Sequence, residues 1–525
     1  MEVAPPSYSA NEPAIHRLVD DILAYIFLLN ATIPEHATTM ASSQVCTRWR
    51  SIAVNCHTIW GRIIDYPQHS LKWIETLLDR SNPSSLDFGS RLYKVYFANG
   101  GQSVLDLVFN HIDRLRIFNL QIPASSWELV RSRFLQLPAP NLEFVHVVID
   151  GDIAAAGHLA HPSGLFENHA PNLQSLGLTF CSIDFTSPVL TPLTELYVYN
   201  DVKIGSPTVL EWLNILGEMP SLRWVTLIRA ISSSPASNIS SCPVVHLRAL
   251  DMLSVDGPLH ESVILVDHLI VPPRCGLRFC GYDAHIVGLD QRRLWAIIEK
   301  KMDLWARNAP NRHLEASNIF YGWDDSYHVT IGNLKLPFPC GGPRTPWSTE
   351  AVEVEKGLCT SGSGVDPVLS ITLQVADIQM PVPLFLSLFA LFEWTFFDTT
   401  YLQLRIGCGP ELFLALVDSF RRFVNLETLS LGYYIATDFP FPLLQQTNSV
   451  IFPALKSIEL FRGDFRNGPE SLLPVANFLQ WRKKQGFPVP KIETVRDPEC
   501  PDNDDTEYIR DILACLQDRV GEINE

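Results

Sequence analysis

Basic residues are scarce in this chain of 525 residues: 40 lysines and arginines stand against 57 aspartates and glutamates, a formal charge of −17. That balance excludes general nucleic-acid binding, which needs cations to displace counterions from phosphates. No apolar run approaches the ~20 residues of a membrane helix. The most apolar stretch, PLFLSLFALF at 383–392, is closed by Glu393, so no membrane span is expected. The 11 cysteines contain no CxxC pair, and the nearest approach, Cys275 and Cys280, has no second pair or histidine at ligand spacing. Reduced thiols follow, with no metal and no cofactor, in a protein of the cytoplasm, the nucleus or both. The opening MEVAPPSYSANEPAIHRLVDD lacks a basic stretch ahead of an apolar core, so no secretory leader is expected.

Motifs of chemistry are missing too. There is no GxxxxGK[ST], no GxGxxG after a strand, no GxSxG and no HExxH. DNDD at 502–505 resembles a calcium loop, but Glu507 stands at the required glycine and Leu513 at the terminal glutamate. The chain reads as a non-enzyme. What it has instead is apolar content: 46% hydrophobic against 18% charged residues, enough to bury a large core.

Near the N-terminus this apolar content is concentrated. AIHRLVDDILAYIFLLN predicts a helix with Ile22, Ile26 and Leu29 on one ridge, broadened by Leu18, Leu23 and Phe27. Asp20 and Asp21 favour its start through the helix dipole. SQVCTRWRSIAVNCHTIW at 43–60 predicts a second helix, with Val45, Trp49 and Ile52 at i, i+4, i+7, Cys46 beside them, Ser42 or Ser43 as cap and Trp60 in a terminal turn. A unit of ~50 residues cannot bury all of these side chains within itself, so some must be covered by a partner or by the rest of the chain.

The order of these residues resembles an F-box. Leu18–Val19 stand at the family's leucine–proline opening, Ile26–Phe27 in its first helix, Val45–Cys46–Thr47–Arg48–Trp49 at its VCxxW signature, and Ile59–Trp60 near its end. The resemblance covers about fifty residues. It implies that the module docks on a Skp-type adaptor and, through it, a cullin, using Leu18, Ile22, Leu23, Ile26, Phe27, Val45, Cys46, Trp49, Ile52 and Trp60. In that family the remainder of the chain holds a protein target for ubiquitin transfer. The other reading is a non-ligase scaffold whose helices pack on its own repeats or on another partner.

Downstream a template recurs: Leu-x-x-apolar-x-apolar, usually after a proline or turn. It appears in DRLRIFNL, PNLEFVHV, PNLQSLGL, TPLTELYV, PSLRWVTL, VHLRALDM, VNLETLSL and PALKSIEL, with first leucines Leu115, Leu142, Leu173, Leu193, Leu222, Leu247, Leu426 and Leu455. Steps between neighbours run from 20 residues (Leu173 to Leu193) to 31 (Leu142 to Leu173), apart from a gap of 179 between Leu247 and Leu426. These match leucine-rich repeats, in which short strands stack because none can bury its face alone. The expected fold is α/β: a short all-α helical module, then an irregular leucine-rich-repeat-like solenoid with a curved parallel sheet and outer helices.

The predicted divisions are a flexible N-terminus (1–11), the helical module (12–65), a linker helix and turn (66–90), the repeat domain (91–498) with a long loop near 340–367, and an acidic segment with a C-terminal helix (499–525). Outward strand positions should form the target surface, with Tyr197, Trp224 and Arg248 as anchors.

Overall fold

The computed structural model describes residues 14–31, 36–63, 70–89, 95–96, 102–150, 164–181, 183–200, 206–232, 242–272, 275–282, 312–321, 326–333, 369–375, 385–387, 389–390, 392–406, 410–431, 439, 441–445, 450–461, 473–489 and 491–495, with 293, 296 and 297. The expected N-terminal segment 1–11, the 340–367 loop and the 499–525 segment lie outside the described residues. The fold is mixed α/β, in two compact units: 1–206 with 218–222, and 207–217 with 223–525.

The first unit opens with helices α1 (Asp20–Asn30), α2 (His36–Ser42), α3 (Thr47–Asn55), α4 (His57–Arg62) and α5 (Leu71–Ser81). α5 shows the logic of such helices. Ser70 caps it by accepting from Trp73 N at 3.3 Å, and Ile74, Leu77, Leu78 and Ser81 form its buried stripe. Strands β1 (Leu86–Phe88), β2 (Val95–Tyr96), β3 (Leu115–Pro123), β4 (Phe144–Asp150), β5 (Ser175–Thr179) and β6 (Glu195–Tyr199) follow, with α6 (Gln102–Phe109) and α7 (Ala124–Gln136) between them. All pair in parallel: β1 and β2 on β3, then β3–β4–β5–β6 in order. In register, Phe118, Val145, Leu176 and Leu196 make one buried row, and Leu120, Val147, Leu178 and Val198 the next. The helices of the N-terminal module therefore share one compact unit with the first strands.

The second unit begins with α8 (Val209–Gly217), closed by a capping box: Glu211 N donates to Thr208 Oγ1 at 3.3 Å and Thr208 N to Glu211 Oε2 at 2.8 Å. Its strands are β7 (Trp224–Ile228), β8 (Val245–His246), β9 (Met252–Pro258), β10 (Leu269–Ile270), β11 (Gly276–Tyr282), β12 (Arg312–Tyr321), β13 (Ser326–Asn333), β14 (Leu369–Val375), β15 (Thr399–Ile406), β16 (Thr428–Leu431), β17 (Ser457–Phe461) and β18 (Lys491–Val495). Helices α9 (Leu259–Asp267), α10 (Pro410–Phe420), α11 (Phe441–Leu444) and α12 (Leu473–Lys484) lie between them in the chain. β7–β9–β11–β14 and β12–β15–β16–β17–β18 are parallel series, and β8 pairs with β10 apart from them.

Between the two series β13 runs antiparallel to both β12 and β14. Sequence order is also broken there, since β14 neighbours β11 while β12 neighbours β15. The expectation of one run of parallel strands in chain order is corrected at this point. The expected template did not extend into this region, and the long strands β12 and β13 form a hairpin instead. PLFLSLFALF supplies core: Phe385, Phe389 and Phe392 are buried. Nearby, Phe396 stacks on Phe423 at 4.3 Å.

Inter-strand contacts explain the recurring template. Its asparagine reaches back one strand: Asn141 Nδ2 donates to Asp113 O (2.6 Å), Asn172 Nδ2 to Pro140 O (2.8 Å) and Asn425 Nδ2 to Phe397 O (2.9 Å). The residue after the leucine carries paired charges: Arg116–Glu143 at 3.5 Å, Arg223–Asp251 at 2.6 Å and Lys456–Glu427 at 2.6 Å. By this spacing the sixth unit's leucine is Leu250, not Leu247, because Asp251 pairs with Arg223 and Leu253 and Val255 take the apolar places. Its strand starts at Met252.

Candidate docking surface

Short-range chemistry sets the helical module. α3 is capped by Cys46, whose thiol accepts from Trp49 N at 3.4 Å; this corrects the expected serine cap. Ser42 and Ser43 instead close α2, with their hydroxyls donating to Thr38 O (2.9 Å) and Met40 O (2.7 Å). α1 and the turn before it are tied to α3 by Arg48, which donates to Asp20 Oδ1 from Nε (2.9 Å) and Nη2 (2.7 Å) and to Leu18 O (2.5 Å). This pair is exposed and contributes under about 1 kcal/mol, so its effect is alignment more than stability.

The interior is aromatic. Phe27 meets the Trp49 ring at 5.1 Å between centroids. Trp60 Nε1 donates to Ala53 O at 2.9 Å, and the Arg80 guanidinium lies over the Trp60 ring at 4.7 Å. Gly61 lets α4 close on the chain before β1, because a Cβ there would collide with Ser85 O. At this seam Asp87 is buried beside Arg62 and Arg116. Burial pushes its carboxyl pKa up, against the opposing pull of Arg116 and then Arg62.

These contacts sort the ten expected docking residues. Leu23, Phe27 and Trp60 are buried within the module and are corrected from partner contacts to core. The physical reason is that α1 has two apolar faces, and the one through Leu23 and Phe27 packs on its neighbouring helices. Leu18, Ile26, Cys46, Trp49 and Ile52 are half-buried. Ile22 and Val45 are 46% and 59% exposed. Three exposed apolar residues outside the expected set adjoin them on α1: Val19, Tyr25 (58%) and Leu29 (49%). Leu29 follows Ile22 by seven residues, on the ridge that the helical spacing assigns to both.

The three expected target anchors are placed differently. Tyr197 lies half-buried on β6, its ring edge-on to His146 at 5.7 Å. Trp224 lies half-buried on β7 under the Arg223 guanidinium, 4.6 Å away. Arg248 is exposed in the turn between β8 and β9, so its expected strand position is corrected by the shift of frame to Leu250. His146, which alternation along β4 places opposite the Val145 and Val147 face, is also buried, at 3% exposure.

Among the described residues no group of three His, Cys, Asp or Glu is placed to hold a metal, and no helix is long and apolar enough to cross a membrane. The Cys181 and Cys280 thiols are pushed well above the ordinary range, both chiefly by burial. They are not poised as nucleophiles. No family model matches the chain, and no curated protein matches it.

Proposed function

We propose that the N-terminal helices form an F-box-like module that docks on a Skp-type adaptor, and that the chain is the target-recognition subunit of a Skp–cullin–F-box type ubiquitin ligase. The observation carrying this reading is the outward apolar stripe of α1, Val19, Ile22, Tyr25 and Leu29, together with exposed Val45 at the start of α3. Soluble monomers rarely leave such side chains together in solvent, and a helix-binding partner would cover them. The order of VCxxW and the later tryptophan supports the family reading. In this proposal the strands and helices downstream are an irregular leucine-rich-repeat-like solenoid that holds a protein target, and catalysis is proximity alone. Tyr197 and Trp224 are the proposed target contacts, and the protein works in the cytoplasm or nucleus.

A second reading rests on a different observation. α4 packs on the chain's own first strand, with Gly61 against Ser85, and α5 packs on α4 and α6. A scaffold that uses the module only to cap its sheet would show the same seam. The test is co-purification of the full chain with a Skp-type adaptor and cullin. Ile22→Asp combined with Val45→Asp should abolish adaptor recovery at unchanged melting temperature. Undiminished recovery, or none from the native chain, favours the scaffold.

A further inference from the structure

Arg482 stands in the last turn of α12 and is fully buried, with 0% of its surface exposed. Its Nη1 donates to Ile451 O at 2.6 Å. Nε and Nη2 are buried and make no hydrogen bond. Phe478 lies beneath the guanidinium at 5.7 Å, and Phe441 and Trp481 extend the aromatic wall at 4.9 and 6.0 Å from the Phe478 ring. Among the described residues no carboxylate pairs with it, and burial pulls its pKa down to about 10.

An uncompensated buried guanidinium is among the costliest groups a core can hold. Two features offset part of the charge. One is Ile451 O; the other is the carbonyl end of α12, whose dipole favours a cation. Neither occupies the Nε–Nη2 edge. Those two nitrogens carry parallel N–H groups whose spacing matches two oxygens of one carboxylate or phosphate. The helix that carries Arg482 is closed by Gly486 N donating to Lys483 O (3.1 Å) and Phe487 N to Arg482 O (2.9 Å), with Gly486 at φ +82°. Space is open around Gly486, and exposed Lys483 and Lys484 add positive potential there.

We infer that Arg482 is an oxyanion-binding residue, whose Nε–Nη2 edge holds the carboxylate or phosphate group of a small ligand against the Phe478 wall. Because the guanidinium is covered, a ligand reaches it only when the surrounding packing opens locally. Carboxylate and phosphate share this chemistry, and the experiment separates them.

The native full-length chain is dialysed to equilibrium against labelled inorganic phosphate and, separately, labelled acetate, with sodium chloride holding ionic strength constant. Melting temperature is followed over the same concentrations. The expected result is retention of one anion per chain and a melting temperature that rises with the logarithm of its concentration, beyond the chloride control. Retention of phosphate alone identifies a phosphate-bearing ligand, and of acetate alone a carboxylate. Arg482→Met should lose both retention and rise. Should that variant not fold, Arg482→Lys keeps the charge without the fork, and at least a tenfold weaker retention is expected. Retention of neither anion by the native chain overturns the proposal. So does undiminished retention in Arg482→Met or Arg482→Lys, since the anion then sits elsewhere.

Discussion

Gly177 on β5 lies directly across from His146 on β4, and a Cβ on Gly177 would stand 2.5 Å from the imidazole Cδ2. The missing side chain is what lets His146 fold down onto the sheet against Tyr197. Gly177→Ala should therefore destabilise the chain by about 1–3 kcal/mol through overpacking. In a double-mutant cycle, His146→Ala should recover most of that loss. Additive effects in urea melts would mean that the two residues do not compete for the same space.

Asp87 makes stability depend on pH in an unusual direction for a carboxylate near two arginines. Burial raises its folded pKa above the unfolded value. The folded state therefore holds the proton more tightly, and stability falls as pH rises from the ordinary carboxylate range through the raised folded pKa. Asp87→Asn cannot ionise. Its melting temperature relative to the native chain should be more favourable at pH 7 than near pH 4. A difference that is flat over this range, or of opposite slope, would refute the assignment.

Trp60 is core, and its replacement should separate folding from docking. Trp60→Phe loses the hydrogen bond to Ala53 O, which keeps only the longer bond from Cys56 N at 3.3 Å. A cost of about 0.5–1.5 kcal/mol is expected. If the docking surface lies on α1 and the start of α3, Trp60→Phe keeps adaptor recovery at a temperature where it remains folded. Loss of recovery in the folded variant would return Trp60 to the interface.

Asn172 checks the reach of the template from one strand to the next. Its amide donates to Pro140 O from an exposed position. Asn172→Ala should cost roughly 0.5–1 kcal/mol by chemical denaturation, and Asn172→Asp at least as much, since a carboxylate cannot donate. No loss in either variant would mean that the bond does not hold neighbouring units together.

Much of the second face of the sheet was illegible in the sequence. Alternation assigns His146 and Ser175 to it, yet both are buried, because side chains on neighbouring parallel strands close over one another. Alternation reports which face a residue takes and nothing about what lies on that face. VHLRALDM shows a second limit. Leu247 and Leu250 both satisfy the first place of the template, both are buried, and only pairing of Asp251 with Arg223 chooses Leu250.

By itself the sequence determined the helices that became α1 and α3, strands near 117–120, 145–148, 175–178, 195–198, 224–227, 428–431 and 457–460, and the apolar excess of the N-terminal segment. All of these are local: periodicity, caps and turn residues act within a few positions. Tertiary structure alone decided which ridge of α1 is covered and which is exposed. It also decided that β13 runs against its neighbours, and that Arg482 is sealed with half its fork unpaired. Each of these depends on residues far apart in the chain meeting in space, and no single stretch encodes that meeting, because burial belongs to the pair of surfaces and not to either one.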